Sequence, residues 1–302
     1  MLDYRCHNHH QYSEVDADLE AIADLTRQVK DLKFPMTTIV RARRDQLKAE
    51  VQAERGFKRS ITKARKDLID MFEQASLSAD PELLLNLDDD QLLNFVLRGG
   101  LGLAVDDFIE SQEKIRASVE RSLEAVGVDL SLEAMPQLDL IQTQAASAVF
   151  EDVIIPDFKR AMSDALTSMS LELPMDVVKS ELAQRLERSE GRQLTEIKTT
   201  ISQYGRTITA VAAQQAGLEH YLYTGPRDGL TRSFCRALIN KVVSEDQMRK
   251  LKNGQGLSVK TSGGGYNCRH SWSPVSESFI EAADLDLATS SDIRDANRGG
   301  AR

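Results

Sequence analysis

Cys268 and His270, two apart in "TSGGGYNCRHSWSPV", and Cys235, upstream in the same module in "TRSFCRALINKV", carry side chains that do chemistry, though without the paired spacing usual for a zinc site. Thiolate sulfur and imidazole nitrogen are zinc ligands, and a structural zinc takes four such donors in a tetrahedron. Three are present, so Asp228 or a water would have to fill the fourth place. The same residue types also make a cysteine nucleophile with a histidine base, although no third orienting residue or oxyanion-hole pattern accompanies them. A third reading needs no reaction: two thiols packed in a small core beside a surface histidine. Gly263, Gly264 and Gly265 precede no lysine and helix start, as a phosphate loop would require, and read instead as a sharp turn before Tyr266.

Two other sets of residues bear on function. "CHNHH" gathers Cys6, His7, His9 and His10, a metal-binding composition, but residues 1–12 read as a mobile terminal segment with no assigned role. Between Arg41 and Lys66 ten basic residues face three acidic ones, a local charge of +7. Of these, Arg41, Arg43, Arg44, Lys48, Arg55, Lys58, Arg59 and Lys63 make a candidate face for packaged nucleic acid or an acidic partner. The plainer reading is the solvated side of an amphipathic helix, since no aromatic residues for base stacking accompany them.

Positioning these groups takes a substantial fold. The chain has 302 residues, 41% of them hydrophobic, enough for a real core, and a net charge of −9 that argues against a dedicated duplex-DNA binder. No apolar run approaches the length that spans a bilayer and the start lacks a secretory layout, so synthesis in the cytoplasm and no membrane partner are expected. Three cysteines are too few for a disulfide scaffold.

Residues 13–217 read as successive helices. Leu47, Val51, Phe57, Ile61, Ala64, Leu68 and Phe72 fall on one face of a long helix, with a perturbation expected at Gly56. Asp80-Pro81 reads as a helix start and "RGG" at 98–100 as a stop. Val105, Phe108, Ile109, Ile115, Val119, Leu123 and Val126 repeat the apolar face until Gly127, and further helices run near 137–153, 157–170 and 174–217, with breaks at Pro156, Pro174 and Gly191. After Gly217 the pattern changes: "LEHYLYTGP" alternates like a strand, helices are expected near 232–240 and 244–252, and turns and short strands follow. The expected fold class is therefore mainly α, a helical body of long amphipathic helices with a small α+β module at 218–276. Residues 277–302 read as a polar tail that orders only against a partner.

Taken as one string, "RTITAVAAQQAGLEHYLYTGPRDGLTRSFCRALINKV" and "NGQGLSVKTSGGGYNCRHSWSPV" resemble the Mu F-like minor head proteins of tailed bacteriophages. The resemblance rests on Arg206 and Thr207, Gly217, Tyr221 and Tyr223, Asp228 and Thr231, Cys235, then Asn267, Cys268 and Arg269, and covers about the last third of the chain. Many members of that family carry paired cysteines that suggest a zinc knuckle. Here Arg232 stands where the first cysteine would, Gly265 and Tyr266 replace His-Pro, and His270 replaces the last cysteine. The resemblance implies a structural clasp of Asp228, Thr231, Phe234, Cys235, Tyr266, Asn267, Cys268, Arg269, His270 and Trp272, with packing by Phe234, Tyr266 and Trp272 substituting for metal. It leaves Cys235, Cys268 and His270 as a candidate zinc set. It further implies a virion protein without enzymatic activity, made in the host cytoplasm and associated as a ring-forming homo-oligomer with portal, neck or capsid proteins, and with packaged DNA as a further contact. A metal-dependent enzyme or effector carried in the virion, or an internal nucleic-acid-binding protein, are the alternatives.

Overall fold

The computed structural model describes residues 14–32, 34, 36–77, 86–124, 126–129 and 134–300. The histidine-rich start and the Asp80-Pro81 pair lie outside them. The chain is mainly helical, 74%, with several long helices and a small C-terminal four-stranded mixed sheet. Helices α1 (Glu14–Asp31), α2 (Met36–Ser76), α3 (Asp89–Val96), α4 (Gly102–Glu124), α5 (Met135–Val149), α6 (Ile155–Ser170), α7 (Met175–Arg188) and α8 (Glu190–Gln215) form the body.

The seven apolar positions assigned to the face of α2 are all buried. Gly56 does not perturb the helix: an interior glycine costs about 1 kcal/mol, and burial of the adjacent Phe57 and Ile61 outweighs it. Phe57, Phe108 and Phe150 make the centre of the body core, with ring centroids 5.5–5.9 Å apart and mostly edge-on. Ile109, expected on the buried face of α4, is instead exposed, because Phe108 beside it takes the inward direction. "RGG" kinks the chain without ending the helical run: Leu97–Leu101 form a π-turn with Gly100 at φ 100°, leading directly into α4. Asp88, capped reciprocally with Gln91, starts α3. A second π-turn, Phe150–Ile154, precedes Pro156 in the first turn of α6, and the break after α7 falls at Ser189, not at Gly191.

α8 ends where Gly217 adopts φ 64° and the Leu218 amide donates back to the Ala213 carbonyl at 2.9 Å. The sheet follows: β1 (His220–Thr224), β2 (Lys241–Ser244), β3 (Ser271–Val275) and β4 (Asp286–Leu287), in the order β3-β1-β2-β4. β1 pairs antiparallel with β2 and β3, whereas β4 runs parallel to β2. Side chains alternate across this sheet. Tyr221, Tyr223, Val243 and Trp272 enter the module core, and Leu222, Val242 and Val275 pack with Ile39 of α2. Short helices α9 (Ser233–Leu238), α10 (Glu245–Met248) and α11 (Val259–Ser262) cover the first face. α10 is shorter than expected, and Val259–Ser262 forms a helical turn within a stretch read as turns and strands.

The last segment corrects the sequence reading most. Residues 277–300 are not a tail awaiting a partner: they form α12 (Glu277–Ala282), β4 and α13 (Ser290–Gly300). α13 buries Ile293 and Ala296 in the module core. Its closing glycines are contacts: a Cβ on Gly299 would lie 2.6 Å from the Phe234 amide nitrogen. Among the described residues no helix is long and apolar enough to cross a membrane.

Candidate functional site: a thiol and arginine clasp

Tyr223 organises the site. Its ring stacks on His270 (centroids 5.3 Å apart, 16° between planes), meets Phe234 edge-on and lies 4.2 Å from Trp272. Its hydroxyl is 3.4 Å from Cys235 Sγ and 3.5 Å from Cys268 Sγ, and the two sulfurs are 3.9 Å apart. β1 supplies Tyr223, the start of α9 supplies Phe234 and Cys235, and the segment entering β3 supplies Cys268 and His270. Trp272 is fixed by its indole N–H donating to the Val259 carbonyl at 2.9 Å.

The glycine run brings the sulfurs together. Gly263 and Gly265 take φ 54° and 105°, reversing the chain. Gly264 serves proximity: a Cβ there would stand 2.6 Å from Cys235 Sγ, while its amide donates to Cys268 Sγ at 3.2 Å. Arg232 donates to the carbonyls of Gly264 (3.1 Å) and Tyr266 (2.7 Å) and secures the loop.

Three arginines then tie this loop to the rest of the molecule. Arg206 of α8 donates to the carbonyls of His270 (3.0 Å), Thr261 (3.3 Å) and Cys268. Arg43 of α2 donates to the Arg269 carbonyl (2.9 Å) and is neutralised by buried Glu50 at 2.9 Å. Arg269 binds Asp228 through both guanidinium nitrogens (2.6 and 2.9 Å) and the Ala17 carbonyl of α1 (2.8 Å). Asp228 also accepts from the Leu230 amide, and Thr231 Oγ1 accepts from the Asp228 amide and donates to Pro226.

The electrostatics follow from this packing. Burial works against ionisation of Asp228, but the paired guanidinium of Arg269 overrides it and holds the carboxyl below its ordinary value. Cys268 loses its proton before Cys235: the Cys235 hydrogen bond, opposed by burial and helped by His270, puts it well below an ordinary thiol, and Cys235 is pushed up in return. Burial also drives the Tyr223 hydroxyl well above its usual range.

A metal fits the same atoms. His270 Nε2 donates to the Pro226 carbonyl at 2.9 Å, so in the neutral ring Nδ1, 3.9 Å from Cys268 Sγ, would be the nitrogen available to a metal. The ligand atoms of Cys235, Cys268 and His270 all lie within 4.8 Å of one another, and sulfurs around one zinc sit about 3.8 Å apart at ordinary bond lengths. Such an ion would cross-link α9 to the β3 entry. Without it the cluster is still satisfied, through the Tyr223 hydroxyl, the Gly264 amide and His270 Nδ1. A cavity of about 170 Å³ reaches the sulfurs, with Asp18, Lys198, Arg232 and Asn267 among its walls.

Of the clasp residues read from the sequence, the structure brings Asp228, Thr231, Phe234, Cys235, Cys268, Arg269, His270 and Trp272 together. His270 is buried, as a clasp residue and not at the surface where the packing-only reading put it, because Gly225 leaves room against its ring. Tyr266 does not pack as expected: it is 42% exposed at the loop apex. Asn267 provides a positive φ of 54°, and its buried Oδ1 accepts no hydrogen bond from the described residues. The basic face also needs correction. Arg43 is buried in the clasp and Arg44 is half-buried beside Asp45, whereas Arg41, Lys48, Arg55, Lys58, Arg59 and Lys63 are exposed. The roles of Arg43 and Arg206 as carbonyl ties were not read from the sequence. The available signal was Arg43 and Glu50 lying seven apart within the apolar frame of Val40 and Leu47. Comparison with protein-family models, curated proteins and solved structures returns no match to this chain.

Proposed function

We propose that this chain is a structural protein of a tailed-phage virion, a minor head protein of the Mu F-like kind acting at the portal or neck in head assembly and genome packaging or delivery. The observation that carries the reading is convergence. Arg206, Asp228, Thr231, Cys235, Cys268 and Arg269 carry the sequence resemblance from scattered positions, and they meet in one clasp. A motif conserving a fold should behave this way, and the hydrogen bonds to carbonyls are those of a structural joint. Both thiols are at most 4% exposed, which supports packing over nucleophilic attack. In this reading the body supplies helical faces for a ring of partner helices, in several copies, and the module holds the body's α1, α2 and α8 in a fixed relation.

The test is co-expression with the portal protein of the same phage, together with mass spectrometry of purified virions. A joint complex and presence in virions are expected. A protein absent from virions that never joins the portal would sink the proposal.

A further inference from the structure

We infer that Cys235 and Cys268 are a site of reversible oxidation, closing an intramolecular disulfide that locks the module when the chain meets a hydroperoxide. This does not rest on the virion reading. The two sulfurs lie 3.9 Å apart, and both face the Tyr223 hydroxyl. A disulfide bond is about 2.0 Å long, so two sulfurs already in contact have about 1.9 Å to close. The cysteines stand on different elements, one near the start of α9 and the other on the segment entering β3, 33 residues on. Among the described residues they are the two free cysteines, so each is the other's only thiol neighbour.

The glycine run leaves the sulfurs room to move. A Cβ on Gly264 would lie 2.6 Å from Cys235 Sγ and 3.5 Å from Cys268 Sγ, and one on Gly263 would lie 3.0 Å from Cys268 Sγ. With hydrogen in those places, either cysteine can turn about its Cα–Cβ bond while Arg206 keeps hold of the Cys268 carbonyl. Access comes from the cavity of about 170 Å³ that both cysteines line and that exposed Leu230 and Arg232 also border. The thiols are too buried for a macromolecular substrate, but hydrogen peroxide needs little more room than a water, about 30 Å³.

The reaction balances with peroxide alone. One thiol sulfur attacks a peroxide oxygen, the O–O bond breaks, and a sulfenic acid and a water result. The other sulfur attacks the sulfenic sulfur, the S–O bond breaks, and a second water carries away the last thiol hydrogen. The two sulfurs give up two electrons, which the peroxide takes. The new bond ties α9 to the β3 entry, where the packing around Tyr223 already brings them, and it restricts the unfolded chain over the intervening residues. A zinc ion would use the same two sulfurs and keep them about 3.8 Å apart, so metal and disulfide exclude each other.

The experiment uses the full chain carrying Cys6→Ser, which removes the one cysteine outside the described residues. After treatment with hydrogen peroxide, free thiols are alkylated in urea and the digest is read by mass spectrometry, while urea unfolding is followed by Trp272 fluorescence. The expected product is the Cys235 peptide joined to the Cys268 peptide within a monomer, two hydrogens lighter than the separate pair. The Trp272 transition should move to higher urea, with the unfolding constant of the module lowered about a hundredfold, and dithiothreitol should return it. Cys235→Ser and Cys268→Ser, in the same background, should show no such shift on peroxide. Two alkylatable thiols after peroxide, a sulfinic acid at either position, a link between two chains, or a linked pair that unfolds at lower urea would overturn the inference. So would thiols that react only after a chelator has removed bound zinc.

Discussion

In the helical body the rings of Phe57, Phe108 and Phe150 are packed by aliphatic side chains, whereas in the module the ring of Tyr223 is packed by two thiols, an imidazole, a phenyl ring and an indole. The body spreads its burial over many interchangeable contacts, and such cores tolerate substitutions that keep volume. The module is too small for that. Its position is specified by directional bonds from Arg43, Arg206 and Arg269, each of which would leave buried carbonyls or a carboxylate unpaired if removed. A small domain attached to a large one therefore depends on a few polar joints, and its weak points can be named individually.

That contrast can be tested because the two regions report separately. Trp272 is the only tryptophan and lies in the module, while the helices of the body dominate far-UV circular dichroism. The largest effect is expected from Arg206→Ala, which strands buried carbonyls and should destabilise the module by about 3–5 kcal/mol. In urea the Trp272 transition should separate from the helical one and precede it. Coincident transitions would mean that body and module unfold as one unit.

Next come Cys235→Ser and Cys268→Ser, each expected to cost about 1–3 kcal/mol in the Trp272 transition, since a hydroxyl is poorly accommodated where a thiol was buried. Three protein donors are one short of a closed structural zinc set, and the metal-free cluster is hydrogen-bonded, so chelator should leave the parent transition in place. Stoichiometric zinc, lost together with either cysteine, would replace packing by coordination in this account.

The body counterpart is Phe108→Leu, an apolar swap expected to cost about 1 kcal/mol. It should shift the helical transition and leave the Arg206→Ala separation unchanged. The smallest effect concerns acid. Because the folded-state pKa of Asp228 is depressed, its pairing with Arg269 stabilises fully above the ordinary carboxylate range and is lost as pH falls through the folded value. The Trp272 melting temperature should decline on that acid limb, and Asp228→Asn should flatten the part of the decline that belongs to this pair.

The body was legible because long amphipathic helices repeat their signal over many turns, and the end of α8 because Gly217 is a strong punctuation mark. β2 and β4, of four and two residues, carry too little periodicity to be recognised. The polar reading of residues 277–300 failed because α13 places just two apolar side chains, Ile293 and Ala296, in the core, and its glycines pack by being small, which composition reports as looseness. In the site, Cys235, Cys268 and His270 were legible as reactive types, whereas the guanidinium ties of Arg43 and Arg206 were hidden among ordinary helical charges. A buried arginine looks like a surface one until its carbonyl partners are in place.

The parallel pairing of β4 with β2 has a consequence for synthesis. The ribosome delivers β3 before β4, so the outer edge of β2 stays unpaired until β4 is made, an interval of about 0.5 to 2 s at ordinary elongation rates. During it, the nascent module presents free backbone donors and acceptors on that edge, open to any neighbouring strand on the same polysome. Lys241, which pairs with Asp292 once α13 arrives, meanwhile leaves a charge at that edge, a guard against premature pairing that becomes an ion pair on completion.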